Sequence, residues 1–165
     1  MKRVDCLEHL STLVTDQLVV IGMAGANWEW NQLSQHQGNM KIGSMGNATA
    51  VGLGMAMSLP HRRVIVLDSD GSVLLDLATL TTLGTYRPPN LSIFVFDNEV
   101  YSGSGISQPS ATAFHTDIEA IARGAGIPDP VTVRDLDGFV RCADGSTSAS
   151  RLTYCVAKVA EDLSA

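Results

Sequence analysis

Three short apolar runs, Leu18-Val19-Val20-Ile21, Val64-Ile65-Val66-Leu67 and Leu91 to Phe96, recur along the chain with helix-forming stretches between them. Runs of this kind, without polar alternation and bounded by turn residues, read as strands buried on both faces. Strands separated by helices build βαβ units, and so a mainly parallel sheet with helices on both sides. The predicted fold class is therefore α/β, three layers deep (α/β/α). In such sheets ligands sit outside the carboxyl ends of the strands. The segments that follow the three runs, Gly22 to Asn27, Asp68 to Ser72 and Asp97 to Gly103, are the places to look for chemistry.

Val4 to Val14 reads as a helix, with Leu7, Leu10 and Leu13 on one face. Asn47 to Leu59 reads as a second, stopped by Pro60. Its Ala50, Gly52, Gly54 and Ala56 cost helix propensity, which implies close approach by another backbone. Ser72 to Leu83 reads as a third, with Ser72 as N-cap and Gly84 as its stop. Thr116 to Ala125, ended by Gly126, reads as a fourth. Pro128 to Val133 offers a short strand and Leu152 to Val159 a last one, while Asp135 to Ser150 does not match a familiar helix. The 165 residues show no repeat or low-complexity linker, and their number suits a single domain spanning 1–165.

A net charge of −6 argues against a nucleic-acid or anionic membrane surface. Cys6, Cys142 and Cys155 are widely spaced with no C-x-x-C, which disfavours a zinc or iron–sulfur site and suits a reducing cytoplasm. The apolar stretch Leu18 to Ala26 ends in Ala24-Gly25-Ala26, faintly like a leader cleavage site. It is too short to span a bilayer and follows Asp5, Glu8 and Asp16. A buried strand is the expectation.

Two readings stand at each strand end. In Asp68-Ser69-Asp70-Gly71-Ser72, Asp70 either caps the helix that follows, or shares with a phosphate a cation that lies between two negative groups. Asp97-Asn98-Glu99-Val100-Tyr101 is either an Asx turn leaving a strand or, with Asp70 at the same sheet edge 28 positions earlier, a set of oxygens for a hard cation. Gly43-Ser44-Met45-Gly46-Asn47 either shapes backbone against a flat ligand or simply buries Met45. Other nucleotide and hydrolase motifs fail. Gly52-Leu53-Gly54-Met55-Ala56-Met57 breaks the dinucleotide fingerprint, no Gly-Lys-Ser/Thr exists, and Leu74 stands where a nucleophile elbow needs glycine. His115 reads as a loop histidine, His9, His36 and His61 lack ligand spacing, and Trp28 and Trp30 suit either a core or an interface.

The ordered series GSMGNATAVGLGMAMSLP, VIVLDSDGSVLLDLATLTTLGTYRPPNLSIFVFDNEVYSGSG and HTDIEAIARGAGI resembles the diphosphate-binding domain of thiamine-diphosphate enzymes, over about Leu18 to Val133. That family carries Gly-Asp-Gly and later Asn-Asn. The segments are most like those of sulfopyruvate decarboxylase β subunits and phosphonopyruvate decarboxylases. The resemblance implies a thiamine-diphosphate-binding fold and a 2-oxo acid decarboxylase that uses thiamine diphosphate and Mg²⁺. It implies Asp70, the Asn98 side chain and the Val100 carbonyl as metal ligands. It implies diphosphate contacts at Gly25, Gly71 and Ser72, the Ser72 hydroxyl included, and cofactor contacts at Gly43, Ser44, Met45 and Tyr101, with Met45 as the apolar wedge under the bent cofactor.

Two positions depart from the pattern: Ser69 replaces the first glycine, and Asp97 the first asparagine. The family's pyrimidine-binding domain, source of the activating glutamate, has no counterpart in 165 residues. A separate α subunit is therefore the expected partner, with self-association of this chain inside the heteromer. A related carboligase subunit, or a cofactor-binding subunit without turnover, is the alternative. Missing cluster cysteines count against the ferredoxin-linked oxidoreductase subunits of the same family.

Overall fold

The structure, a computed structural model, describes residues 1–23, 25–103, 106–148 and 150–160. Ala24 of the leader-like ending lies outside the described residues. The chain runs α1 (Arg3–Leu13), β1 (Leu18–Ile21), α2 (Gly25–Leu33), β2 (Asn39–Lys41), α3 (Ala48–Ser58), β3 (Val64–Ser69), α4 (Asp70–Leu75), α5 (Ala78–Tyr86), β4 (Leu91–Asp97), β5 (Val100–Gly103), β6 (Ile106–Pro109), a 3₁₀ turn (Ala111–Ala113), α6 (Ile118–Gly124), β7 (Val131–Val133), α7 (Leu136–Ser148) and β8 (Thr153–Lys158). Six strands form one parallel sheet in the order β2-β1-β3-β4-β8-β7, and β5 pairs with β6 as an antiparallel hairpin.

Strand periodicity divides the core in two. Val64, Val66, Ile93, Val95, Tyr154 and Val156 meet Leu53, Ala56, Leu80, Leu83 and Ala122 on one face. Ile65, Leu67, Phe94, Phe96, Cys155 and Ala157 meet Leu7, Leu10, Trp30 and Phe139 on the other. The three-layer α/β/α expectation is met, because the doubly buried strands bring helices to both faces. The glycine-rich α3 packs as closely as its composition implied. A Cβ on Gly52 would lie 2.2 Å from Val66 Cγ2, so the close neighbour is a strand side chain rather than a backbone. Among the described residues, no helix is long and apolar enough to cross a membrane.

Several sequence expectations are corrected. The segment Gly22 to Asn27, which the glycines mark as a loop by sequence, is loop only at its start, since α2 begins at Gly25. The helix expected from Ser72 to Leu83 is two helices, broken at Asp76 and Leu77, and its cap is Ser69 rather than Ser72. Gly84 does not end α5; Arg87 does, in left-handed conformation with φ 46°. Asp117, not Thr116, caps α6, its carboxylate accepting from Ala120 N–H at 3.0 Å. The strand in 128–133 shortens to β7. The segment from Asp135 to Ser150 contains α7, whose Phe139 and Ala143 are fully buried. Strands β2, β5 and β6 were not anticipated. β2 is three residues of mostly exposed edge, and β5 and β6 pair only with each other, so none carries the buried apolar run that marks a central strand.

Candidate functional site

A cleft of about 90 Å³ opens at the carboxyl edge of the sheet, beyond the ends of β1, β3 and β4. Six residues singled out from sequence line it: Gly25, Met45, Gly71, Asn98, Val100 and Tyr101. Gly43 and Ser44 sit exposed on the turn before α3, outside the cleft wall. Asp70 and Ser72 lie fully buried beneath the cleft.

Ser69 ends β3 in extended conformation (φ −123°, ψ 159°), and its hydroxyl accepts from Ser72 N–H at 3.3 Å. No left-handed backbone is needed here, so serine stands in the glycine position without strain. The Ser72 hydroxyl also has a partner within the chain. It accepts from Gly46 N–H at 2.9 Å and so ties the Gly43–Gly46 turn onto α4. Gly71 lies under the Tyr101 ring; a Cβ there would come 2.4 Å from Tyr101 Cε1.

Asp68 and Asp70 flank Ser69 but do different things. Asp68 accepts from Thr49 Oγ1 at 2.9 Å and from Ser69 N–H at 3.0 Å, so it joins β3 to α3. Burial raises its pKa, opposed by hydrogen bonds from the Ser72 side chain first and then from Ser69 and Thr49. Asp70 points its Oδ2 at two hydroxyls, Ser110 Oγ at 2.6 Å and Thr112 Oγ1 at 3.1 Å. Burial raises its pKa too, opposed by the Ser110 bond and reinforced by the charge of Asp97.

The other oxygen, Asp70 Oδ1, faces Asn98. With the Asn98 amide oxygen accepting from Val100 N–H at 3.3 Å, that oxygen also confronts Asp70 Oδ1 and the Val100 carbonyl. Turning the amide over lets its nitrogen donate to the same two oxygens at 3.3 and 3.1 Å. A donor at that point, or a cation, resolves the confrontation of three acceptors. A carboxylate, an amide oxygen and a main-chain carbonyl are a donor set for a hard divalent ion. Glu99, between two of these residues, holds φ 67°. This left-handed residue turns the chain sharply enough to present Asn98 and Val100 together. Glu99 N–H also donates to Asp97 Oδ1 at 3.1 Å, so the Asx-turn reading and the cation reading describe one piece of backbone.

Asp97 is buried and carries a partner of its own. Lys158 Nζ lies 2.8 Å from Asp97 Oδ2 and 2.8 Å from Glu99 Oε1, and residues 97 and 158 are cross-strand partners in the β4–β8 register. Burial alone would lower the Lys158 pKa, but the two carboxylates outweigh it and raise it. The Asp97 position is thus neutralised from β8, away from the three oxygens.

Sequence reasoning missed Arg3, Met23 and Phe96 as cleft residues, singled out Ser69 only as a departure from the motif, and missed Ser110 and Thr112 as supports. Arg3 reaches the cleft from α1, packed over Gly25, and is held by Glu29 at 2.7 Å (Nε) and 3.0 Å (Nη2). Only its charge at the chain start could have flagged it. His115 is exposed on a separate polar cleft of about 500 Å³. The two tryptophans divide: Trp28 is 72% exposed, while Trp30 is buried and donates to Asn39 Oδ1 at 3.1 Å.

Residues 17–143 match the family model described as thiamine pyrophosphate enzyme, C-terminal TPP binding domain. The chain is 30% identical over 159 residues to the sulfopyruvate decarboxylase subunit beta of Methanocaldococcus jannaschii, covering 95% of this chain and 83% of that one. It is 36% identical over 126 residues to the phosphonopyruvate decarboxylase of Streptomyces viridochromogenes, covering 75% of this chain and 31% of that enzyme. Its fold superposes with TM-score 0.81 on a thiamine diphosphate-dependent 4-hydroxybenzoylformate decarboxylase from Rhodococcus jostii RHA1, at 19% identity. That match covers 99% of this chain and 33% of the solved one, so the chain spans about a third of that structure's length.

Proposed function

Because this chain belongs to the thiamine pyrophosphate enzymes, as a carrier of their C-terminal TPP binding domain, we propose that it is the β-type subunit of a thiamine-diphosphate- and Mg²⁺-dependent 2-oxo acid decarboxylase of the sulfopyruvate and phosphonopyruvate kind. The observation that carries this reading is the convergence of Asp70 Oδ1, the Asn98 amide and the Val100 carbonyl beside a cleft at the carboxyl edge.

In this reading Asp70, Asn98 and Val100 would hold Mg²⁺, whose charge would offset that of the cofactor's diphosphate. Gly25 and Gly71, which line the cleft, would bound the diphosphate. Arg3, paired with Glu29, adds positive charge at the same wall. The Gly43-Ser44-Met45 turn, braced by the Gly46–Ser72 hydrogen bond, presents Met45 as a wedge and offers Gly43 and Ser44 to the rest of the cofactor. Tyr101, seated on Gly71, would form one wall of the cofactor's cleft. When bound, the cofactor supplies the electron sink for loss of CO₂ from a 2-oxo acid.

A separate α subunit supplies the pyrimidine domain and the activating glutamate, and this chain self-associates within the heteromer. Support comes from the relative named as a beta subunit, most of whose length this chain covers. The substrate class follows the relatives' names: a 3-carbon 2-oxo acid bearing a sulfonate or phosphonate.

The test is the thermal midpoint of the chain with thiamine diphosphate, with and without Mg²⁺. Ligand at about 100 times its Kd adds ~2.7 kcal/mol, or roughly 5–10 °C at this size. The rise should require Mg²⁺ and disappear in Asp70→Ala and in the milder Asn98→Ala. A Mg²⁺-independent rise, or one that survives both variants, removes the cation site. Turnover of sulfopyruvate or phosphonopyruvate is expected only once an α subunit is added.

A further inference from the structure

We infer that the buried hydroxyl pair Ser110 and Thr112 is a positioning device that restricts Asp70 to a single coordinating oxygen and thereby makes the site discriminate between divalent cations. The inference rests on the reading of Asp70, Asn98 and Val100 as cation ligands.

The antiparallel hairpin of β5 and β6 starts at Val100, a proposed ligand, and ends at Pro109. The chain then enters the 3₁₀ turn, and Ser110 N–H closes back onto the Glu99 carbonyl at 2.8 Å. The hairpin thus returns the chain to the point it left. Ser110 (1% exposed) and Thr112 (6%) arrive beside Asp70 from the side opposite Asn98.

Ser110 Oγ donates to Asp70 Oδ2 at 2.6 Å. Thr112 Oγ1 lies 3.1 Å from the same oxygen, 2.8 Å from Ser110 Oγ and 2.8 Å from Asp97 Oδ1. Asp97 is fixed in turn by Lys158. The chain of contacts Lys158–Asp97–Thr112–Ser110–Asp70 leaves Asp70 Oδ2 hydrogen-bonded and walled off by two side chains. Oδ1 alone remains turned toward Asn98 and Val100.

A carboxylate held this way can bind an ion through one oxygen but cannot chelate it through both. Mg²⁺ demands a compact octahedron with single-oxygen ligands, whereas Ca²⁺ takes more ligands and readily accepts a bidentate carboxylate. The clamp therefore favours the smaller ion. Groups behind a ligand commonly change metal affinity by about 10–100-fold when removed.

The experiment measures thiamine diphosphate binding by the whole chain, by calorimetry or thermal shift, across Mg²⁺ and Ca²⁺ titrations. Wild type, Ser110→Ala, Thr112→Ala and the conservative Thr112→Ser are compared. The expected result is a wild-type preference for Mg²⁺ that falls about tenfold or more in Ser110→Ala and Thr112→Ala, through weaker Mg²⁺ and unchanged or stronger Ca²⁺ support. Thr112→Ser should keep the wild-type ratio. If Thr112→Ala does not fold, Ser110→Ala alone carries the comparison. A purely structural role lowers both ions' effects by the same factor and leaves the ratio unchanged, which overturns the inference while the cation site stands. Binding that needs no cation in wild type overturns the cation reading and the inference with it.

Discussion

Two clefts in this molecule differ in a way that separates a site from a gap. One lies between α7 and the amino end of β8, holds about 400 Å³ and is lined by Arg141, Cys142, Arg151 and Thr153. Its ion pair, Arg151 with Asp129 at 3.3 Å, has side chains 71% and 76% exposed. Water solvates those groups whether or not a ligand is present, and such pairs contribute little. The other, at the carboxyl edge, holds only about 90 Å³. Beneath it Asp70 and Asp97 are at most 1% exposed, and each is held by hydroxyls or a lysine. Burying a carboxylate is costly unless every lone pair finds a partner. The small cleft is where the chain has met that cost and gathered a carboxylate, an amide and a main-chain carbonyl at one point, so buried polar chemistry, not volume, makes it the candidate site.

The largest effect that would test this contrast lies between the two clefts. Phe139 on α7 stacks on Phe94 at 5.4 Å and on Phe96 at 6.0 Å, and Phe96 lines the small cleft. Phe139→Ala should cost about 3–5 kcal/mol and lower the midpoint by roughly 10 °C, read by urea unfolding or a thermal scan. The cofactor-dependent rise should persist in the folded fraction, since no hydroxyl, amide or carboxylate of the site moves. Loss of that rise at full occupancy of the native state would mean that the α7 layer is part of the site.

A mid-sized effect tests the small cleft from inside. Gly71→Ala drives a Cβ into the Tyr101 ring, 2.4 Å from its nearest atom. The expected cost is about 1–3 kcal/mol, together with loss of the cofactor-dependent stabilisation. Adding Tyr101→Ala relieves the contact and should recover part of the stability lost by the single variant. If Gly71→Ala is neutral in both measurements, Tyr101 does not sit on the glycine as described.

How much of this was legible from the residues follows the same division. β1, β3, β4 and β8 were readable because each is an unbroken apolar run, and the site's edge followed from their order. The meeting of Asp70, Asn98 and Val100 at one sheet edge was readable because strand ends and a known motif series placed them. The supports were not. Ser110 and Thr112 lie in a 3₁₀ turn whose composition announces nothing, and they reach Asp70 only because the hairpin folds back. Arg3 comes from the first helix, 22 residues before Gly25, and Lys158 from the last strand. The inward contact of the Ser72 hydroxyl was not legible either, because a hydroxyl at a helix start can face outward or inward. Here the Gly43–Gly46 turn claims it. Periodicity reports on burial and motifs report on first contacts, whereas hydrogen-bond partners distant in sequence depend on how crossovers close.

The smallest effect asks whether nearness to the carboxyl edge matters when a charge is not buried. Glu119 on α6 lines the polar cleft beside Lys158 and pairs with Arg123 at 2.8 Å, one turn along the same helix. A hydrogen bond from Thr132, then one from Arg123, lowers its pKa. A carboxyl group whose pKa is lower in the folded state stabilises the fold above its unfolded pKa, and that stabilisation is lost as pH falls through the folded value. Glu119→Gln should therefore cost about 0.3–0.5 kcal/mol near neutral pH, shrinking with added salt. The difference from wild type should close below the usual carboxylate range, where both side chains are neutral. Urea midpoints across pH would read it. A cost of several kcal/mol, or one that grows as pH falls, would mean that Glu119 belongs with the buried carboxylates of the site. The expected small, salt-sensitive value places it with the exposed pair at the opposite end of the sheet, so that solvent access and not position at the edge sets what a charge does in this fold.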